Sequence, residues 1–460
     1  MDYRLAIIGA GPGGYVAAIR GAQLGMKVCL IERDEVGGVC LNWGCIPTKT
    51  LAASAKVFSL IKRAAEFGIG VSDIRLESAQ MYDRKDQVVK RLVNGILFLL
   101  QKNKIDLVRG SASFLTEHEL IIAGNDGSER RITAESIIIA SGSIPQLPEI
   151  FQYDGLQVIS SNEALSFTSL PTAMVIVGGG VVGCEFASIF NILGVKVTLV
   201  EMLPNLLPNL DPEVSSSLRL QFKKKGITVL TATPVREIRK NSDHVDVIVG
   251  EGQELKAEKV LVAIGRKPNI TGLNLDKIGI DTAPNGRIKV NPFLETNWPG
   301  IFAIGDVNDQ PWDLAHAASA QGIIAVSNIN GERSAWSDLA MPNCIFTDPE
   351  IAAVGLSATE AATAGIEVTV AKFPLLANGK ALADGEAVGF VKVIAGKSSG
   401  QILGVHMIGL HASDLIAEAA LAIRNKLTVT AVMETIHAHP TLAEAFHEAC
   451  EGIMGLSIHV

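Results

Sequence analysis

Arg4-Leu5-Ala6-Ile7-Ile8-Gly9-Ala10-Gly11-Pro12-Gly13-Gly14 is a short apolar run that breaks at once into glycine. The run predicts a strand, the glycines a tight turn, and the pattern beyond them a helix to about Leu24, with a second strand over Val28–Glu32. A turn of this kind lets the backbone approach a pyrophosphate, which rests on the free N–H groups and the positive end of the helix. Gly9, Gly11 and Gly14 have the required spacing, although close helix packing also selects glycine and one copy is a weak sign.

The same arrangement returns at Met174–Val177, followed by Gly178-Gly179-Gly180-Val181-Val182-Gly183, a helix to about Leu193 and a strand over Lys196–Glu201. In both units the closing acid, Glu32 or Glu201, stands 23 residues after the first glycine. Two matching units with Gly178, Gly180 and Gly183 in the second predict two bound dinucleotides and an α/β chain with two Rossmann-like domains. A carboxylate at the strand end accepts hydrogen bonds from ribose hydroxyls and repels a 2′-phosphate. Glu201 is followed by Met202, Leu203 and Pro204, with no arginine to hold a phosphate, so the second site is expected to prefer NAD over NADP.

Outward from these loops, 460 residues make room for about three domains. A hydrophobic fraction of 48% against 19% charged describes a core-rich chain rather than a disordered one. The net charge of −8 draws it neither to nucleic acid nor to an anionic membrane surface. The longest apolar-looking stretch, 173–200, contains Glu185 and Lys196 and reads as strand, helix, strand rather than a membrane span. No export signal is read at the start, and a cytoplasmic location is expected.

Met81–Leu100 predicts a long amphipathic helix, and Ser136–Ala140 a buried strand that runs into Ser141-Gly142-Ser143-Ile144-Pro145. Its counterpart, Lys259–Ile264, runs into Gly265-Arg266-Lys267-Pro268-Asn269, and both exits look like domain junctions. Gly300–Asp306 is a further apolar strand ending at an acid, followed by a helix from about Ala315 to Asn328. From Met341 the phosphate loops cease, and a separate α+β domain is expected, with helices near 413–425 and 442–454.

Cys40-Leu41-Asn42-Trp43-Gly44-Cys45-Ile46-Pro47-Thr48-Lys49 holds two of only six cysteines. In a regular helix residues five apart lie about 140° apart around the axis, so a disulfide here requires an irregular turn. Gly37, Gly38, Gly44 and Pro47 supply the punctuation for one, and a helix starting near Pro47 would aim its positive end at the sulfurs. Zinc binding and two unrelated buried thiols are the rival readings, though no second Cys/His pair lies nearby.

The segment Gly37–Lys49 resembles the redox-active disulfide segment of the pyridine nucleotide–disulfide oxidoreductases, and the similarity runs over essentially the whole chain. Trp43 and Thr48 depart from the valine and serine expected there, and neither change removes a reactive group. Among members, the chain is most similar to those that oxidise dihydrolipoyl groups with NAD+. The resemblance implies a Cys40–Cys45 redox disulfide, one tightly held FAD per subunit, NAD as the second cofactor, and a homodimer served by the lipoyl-bearing protein of a 2-oxoacid dehydrogenase or glycine cleavage assembly. It implies an FAD-binding domain over 1–147, an NAD-binding domain over 148–270, a return to the FAD-binding and central region over 271–340, and a dimerisation domain over 341–460. Glu32 and the first loop are implied to hold the ADP half of FAD, Asp306 its ribityl chain, and the helix start at Leu314-Ala315-His316 the pyrimidine side of the flavin. Ser141, Gly142 and Gly265 are implied cofactor contacts, and Lys49 is implied to reach the flavin and pair with Glu185.

His437-Ala438-His439-Pro440-Thr441-Leu442-Ala443-Glu444 offers a base for dithiol chemistry, which needs a thiolate. In an extended segment the two histidines point to opposite sides, so one of them is expected to face a site. Pro440 is expected to start the following helix, on which Glu444 orients the imidazole in the manner of a His/Asp dyad. By resemblance His439 is the acid/base, delivered from the other subunit. A glutathione-type or mercuric reductase is the alternative enzyme, disfavoured by Glu201 and by the single C-terminal cysteine, Cys450; a flavoprotein with a structural or sensing role is the non-enzymatic one.

Overall fold

The computed structural model describes residues 1–460. Tyr3–Ile8, Val28–Glu32 and Asp106–Arg109 form parallel neighbours in a seven-stranded sheet, continued on the other side by Glu129–Ile139. That long strand is shared: its first half pairs antiparallel with Glu119–Ala123, its last three residues parallel with Ile301–Ala303. The chain therefore returns to its first sheet after leaving it for more than a hundred residues. Val28–Glu32 is buried throughout, as expected of a parallel strand covered on both faces.

The second unit has the same plan. Its parallel sheet runs in the order Thr228–Leu230, Lys196–Val200, Ala173–Val177, Lys259–Val262, Val158–Ile159. An antiparallel meander, 235–257, lies against it and was not anticipated from sequence. The 173–200 stretch is strand, helix, strand as read, and no helix of the chain is long and apolar enough to cross a membrane. Ser143–Pro145 and Arg266–Pro268 pair antiparallel, tying the exit from the first domain to the exit from the second.

From residue 343 the chain builds a five-stranded antiparallel sheet with the helices Ala412–Arg424 and Glu444–Ile453 packed on it. A core of buried aliphatics with Phe373 and Phe446 fills the space between them.

Candidate active site

The two glycine loops are superposable in their logic. Gly9 and Gly178 both have positive φ, +104° and +109°, and a Cβ at either would sit 2.4 or 2.3 Å from a carbonyl oxygen, of Ala140 or Ala263. A Cβ on Gly14 or Gly183 would fall 1.8 or 1.9 Å from the oxygen of the loop's own first glycine. Gly11 and Gly180, by contrast, face open space with nothing within 4 Å, and each caps its helix in extended conformation. First and third glycines are thus demanded by protein packing, and the middle one leaves the helix N-terminus uncovered.

Glu32 and Glu201 are buried, not solvated strand ends. Glu32 accepts the N–H of Ala10 at 2.7 Å, and Glu201 that of Gly179 at 2.5 Å. Each acid therefore braces its own loop as well as ending its strand, a role the sequence reading did not anticipate.

The cysteines sit on a broken helix. Gly38–Asn42 ends at Trp43, Gly44 takes a non-helical conformation, and Cys45–Lys62 begins afresh, its fourth residue Thr48 donating a hydroxyl bond to the Gly44 carbonyl at 2.6 Å. The second helix thus starts at Cys45, two residues before Pro47; with the break at Gly44, Cys45 occupies the first turn, where the helix dipole favours a thiolate. All six cysteines are free, and no disulfide joins Cys40 to Cys45 here. The Cys40 and Cys45 thiols hydrogen-bond each other. The bond from Cys40 lowers the Cys45 thiol to about 7 against the opposing effect of burial, with help from the Lys49 charge. The same contact, with burial, pushes Cys40 up.

Lys49 lies one helical turn beyond Cys45 and gives its ammonium to both oxygens of Glu185, at 2.9 and 2.8 Å. Glu185 is buried on the helix behind the second loop and also accepts the Phe346 N–H at 2.9 Å, while the Phe346 ring lies 4.6 Å from the ammonium. Phe346, from the third domain, was not singled out in the sequence; nothing in residue spacing links it to position 185.

One cavity of about 2290 Å³ is lined by both glycine loops, Cys40 and Cys45, Lys49 and Glu185. Ser141, Gly142, Gly265, Asp306 and the helix start at Leu314, Ala315 and His316 also line it. The Ser141 hydroxyl is buried without a protein partner, and the Ala315–Ile329 helix begins on this wall without a side-chain cap. Asp306 is pushed up by burial, and accepts the Ser143 hydroxyl at 2.5 Å. Bare helix starts, an orphaned hydroxyl and a desolvated carboxylate fit a large polar cofactor such as FAD, with NAD on the second loop.

His439 is absent from the walls of this cavity. Its side chain is 78% exposed, and its Nδ1 faces Glu444 Oε1 at 2.8 Å. A carboxylate only accepts, so Nδ1 carries a proton, and Nε2 has no hydrogen-bond partner within the chain. Burial pushes Glu444 up, but the Thr441 N–H and the imidazole outweigh it and hold the acid below the usual carboxylate range. His437 is turned inward, with 8% of its side chain exposed, and bonds Glu418 at 2.8 Å. The helix carrying Glu444 starts at Glu444 itself, not at Pro440, because that carboxylate accepts the Thr441 N–H at 2.8 Å and closes the first turn.

Residues 3–322 match the pyridine nucleotide-disulphide oxidoreductase family, and 341–450 its dimerisation domain. The chain is 43% identical to a dihydrolipoyl dehydrogenase of Chlamydia muridarum, over 99% of its own length and 97% of that protein's. It is 42% identical to one of Bacillus subtilis, over 99% of each. The crystal structure of LpdA from Mycobacterium tuberculosis superposes with a TM-score of 0.93 at 28% identity, covering 98% of this chain and 99% of that one.

Proposed function

The chain belongs to the pyridine nucleotide-disulphide oxidoreductase family, and from that membership we propose that it oxidises protein-bound dihydrolipoyl groups to lipoyl groups while NAD+ is reduced to NADH. FAD and NAD are its cofactors. The reading rests above all on one cavity in which a dithiol with an acidified Cys45, the Lys49–Glu185 pair and two dinucleotide loops meet.

Gly9, Gly11, Gly14 and Glu32 hold the ADP half of FAD, with Ser141, Gly142, Asp306 and the Leu314-Ala315-His316 helix start around the rest. Gly178, Gly180, Gly183, Glu201 and Gly265 hold NAD. When bound, FAD supplies a two-electron acceptor that the thiols can reduce and NAD+ can reoxidise. The family's dimerisation domain supports a homodimer in which His439 of one subunit faces Cys40 of the partner subunit; its outward-facing Nε2 is consistent with that. His439 removes a proton from a dihydrolipoyl thiol, and the thiolate attacks Cys40 in the oxidised pair, breaking the Cys40–Cys45 bond and leaving Cys45 as a thiolate. The second substrate thiol then attacks its partner sulfur and gives its proton to the Cys40 sulfur it displaces, so Cys40 leaves as a thiol, the lipoyl disulfide departs, and the first proton stays on His439. Glu444 fixes the imidazole tautomer throughout, and Lys49 stabilises the Cys45 thiolate. A lipoyl-bearing protein of a larger assembly is the natural donor.

The test is a visible spectrum of the purified protein and NADH formation from NAD+ with dihydrolipoamide, with NADP+ in parallel. Flavin absorbance with activity on NAD+ alone is expected; flavin without that activity would move the substrate to another disulfide. Cys45→Ser is expected to keep the flavin and lose turnover.

A further inference from the structure

Asp306 is not held by its own neighbourhood. Its carboxylate accepts the Ser143 hydroxyl at 2.5 Å, and that hydroxyl oxygen in turn accepts Arg266 Nε at 2.7 Å. Arg266 Nη2 also donates to the Ser143 carbonyl at 2.7 Å, so one guanidinium grips Ser143 at both ends. Ser143 and Arg266 belong to the paired strands Ser143–Pro145 and Arg266–Pro268, where the chain leaves one nucleotide-binding domain and returns from the other.

Arg266 lines the cavity and makes no ion pair, unlike Arg287, whose guanidinium is matched by Asp313 and which touches Asp306 only through its backbone carbonyl. The guanidinium presents Nε and Nη2 side by side in a fixed fork, a geometry that the single ammonium of a lysine does not reproduce. Burial pulls the Arg266 guanidinium down against the charges of Asp306, Asp313 and Cys45, and Asp306 feels the Arg266 charge in turn. A guanidinium with no carboxylate of its own, spending two donors on one serine, is more than a staple between strands, since backbone pairing already joins them.

We infer that Arg266 is a positioning residue: acting through Ser143, it aims the Asp306 carboxylate at the flavin's ribityl hydroxyls, so that the junction between the two nucleotide-binding domains also sets the grip on FAD. The inference rests on the reading that Asp306 is an FAD ligand.

The experiment is a double-mutant cycle on FAD affinity, measured by titrating flavin-free protein with FAD and following flavin fluorescence. Asp306→Asn, Arg266→Met, their combination, Ser143→Ala and Ser143→Thr are compared. Loss of a hydrogen bond to a charged group predicts roughly tenfold weaker binding for Arg266→Met and for Ser143→Ala. Ser143→Thr, which keeps the hydroxyl, is expected to restore most of it. In the Asp306→Asn background the Arg266 substitution should add little, because its route is gone. Full additivity, or Arg266→Met and Ser143→Ala both binding FAD as the parent does, would overturn the inference. Unchanged affinity in Asp306→Asn itself would instead overturn the reading of Asp306 as a ligand. If Arg266→Met does not fold, Ser143→Ala against Ser143→Thr, each with and without Asp306→Asn, decides the same question.

Discussion

His439 and Glu444 are five residues apart, and the 2.8 Å contact between them fixes the orientation of an exposed imidazole, as the proposed role of a base requires. Replacing Glu444 with Gln keeps the shape but lets the imidazole take the wrong tautomer. Lipoamide turnover is expected to fall about 100-fold with flavin content unchanged. Cys45 makes a sharper case, because its ionisation is set by two named groups. Its thiol is held down to about 7 by the Cys40 hydrogen bond first and, after the opposing burial, by Lys49. Thiolate therefore forms as pH rises through about 7 instead of the higher range of a free thiol. In reduced protein the rate of Cys45 alkylation, read by mass spectrometry, is expected to climb through that pH. Lys49→Met should move the climb upward; an unmoved profile would remove Lys49 from the account.

At the scale of the element, the glycine loops show how two copies of one motif can be separated by experiment. A methyl group at Gly183 would lie 1.9 Å from the Gly178 oxygen, so Gly183→Ala must push the helix start off its strand. The first loop is untouched by that change. The variant is expected to remain yellow while NADH binding, followed by quenching of its fluorescence, weakens at least tenfold. The broken helix at Trp43–Gly44 is the other decisive element, since an unbroken helix would splay Cys40 and Cys45 around its axis. Its glycines are visible in the sequence. The residue at which the second helix begins is not, because the Thr48 bond to Gly44 that seats the first turn depends on the kink being already made.

Over the whole molecule, the second nucleotide domain is docked on the C-terminal domain through a buried ion pair. Lys392 and Asp211 meet at 2.9 Å with side chains 7% and 1% exposed. Burial pushes Asp211 up, but the Lys392 ammonium and the Glu213 N–H outweigh it, so its folded pKa lies below the ordinary carboxylate value. The stability it contributes is present above roughly pH 4 and is lost as pH falls through the depressed value. Asp211→Asn leaves the ammonium with Glu213 alone, at 3.3 Å, and is expected to cost about 2 kcal/mol in urea unfolding near neutral pH. The deficit should shrink in acid, and a pH-independent deficit would contradict the assignment. No spacing rule pairs residues 211 and 392, nor 143, 266 and 306. The two dinucleotide units and the nearness of Cys40 to Cys45 and of His439 to Glu444 are legible in the chain, because periodicity, glycine spacing and short separations are local; the roles of the cysteine pair and of His439 came from family resemblance, not from spacing. That His437 turns inward while His439 faces out, that Glu32 and Glu201 brace their loops, and that Asp306 is held from the domain junction emerge from folding alone. Those are contacts between segments that no propensity couples; they exist only once burial brings the segments together and every desolvated polar group must find a partner.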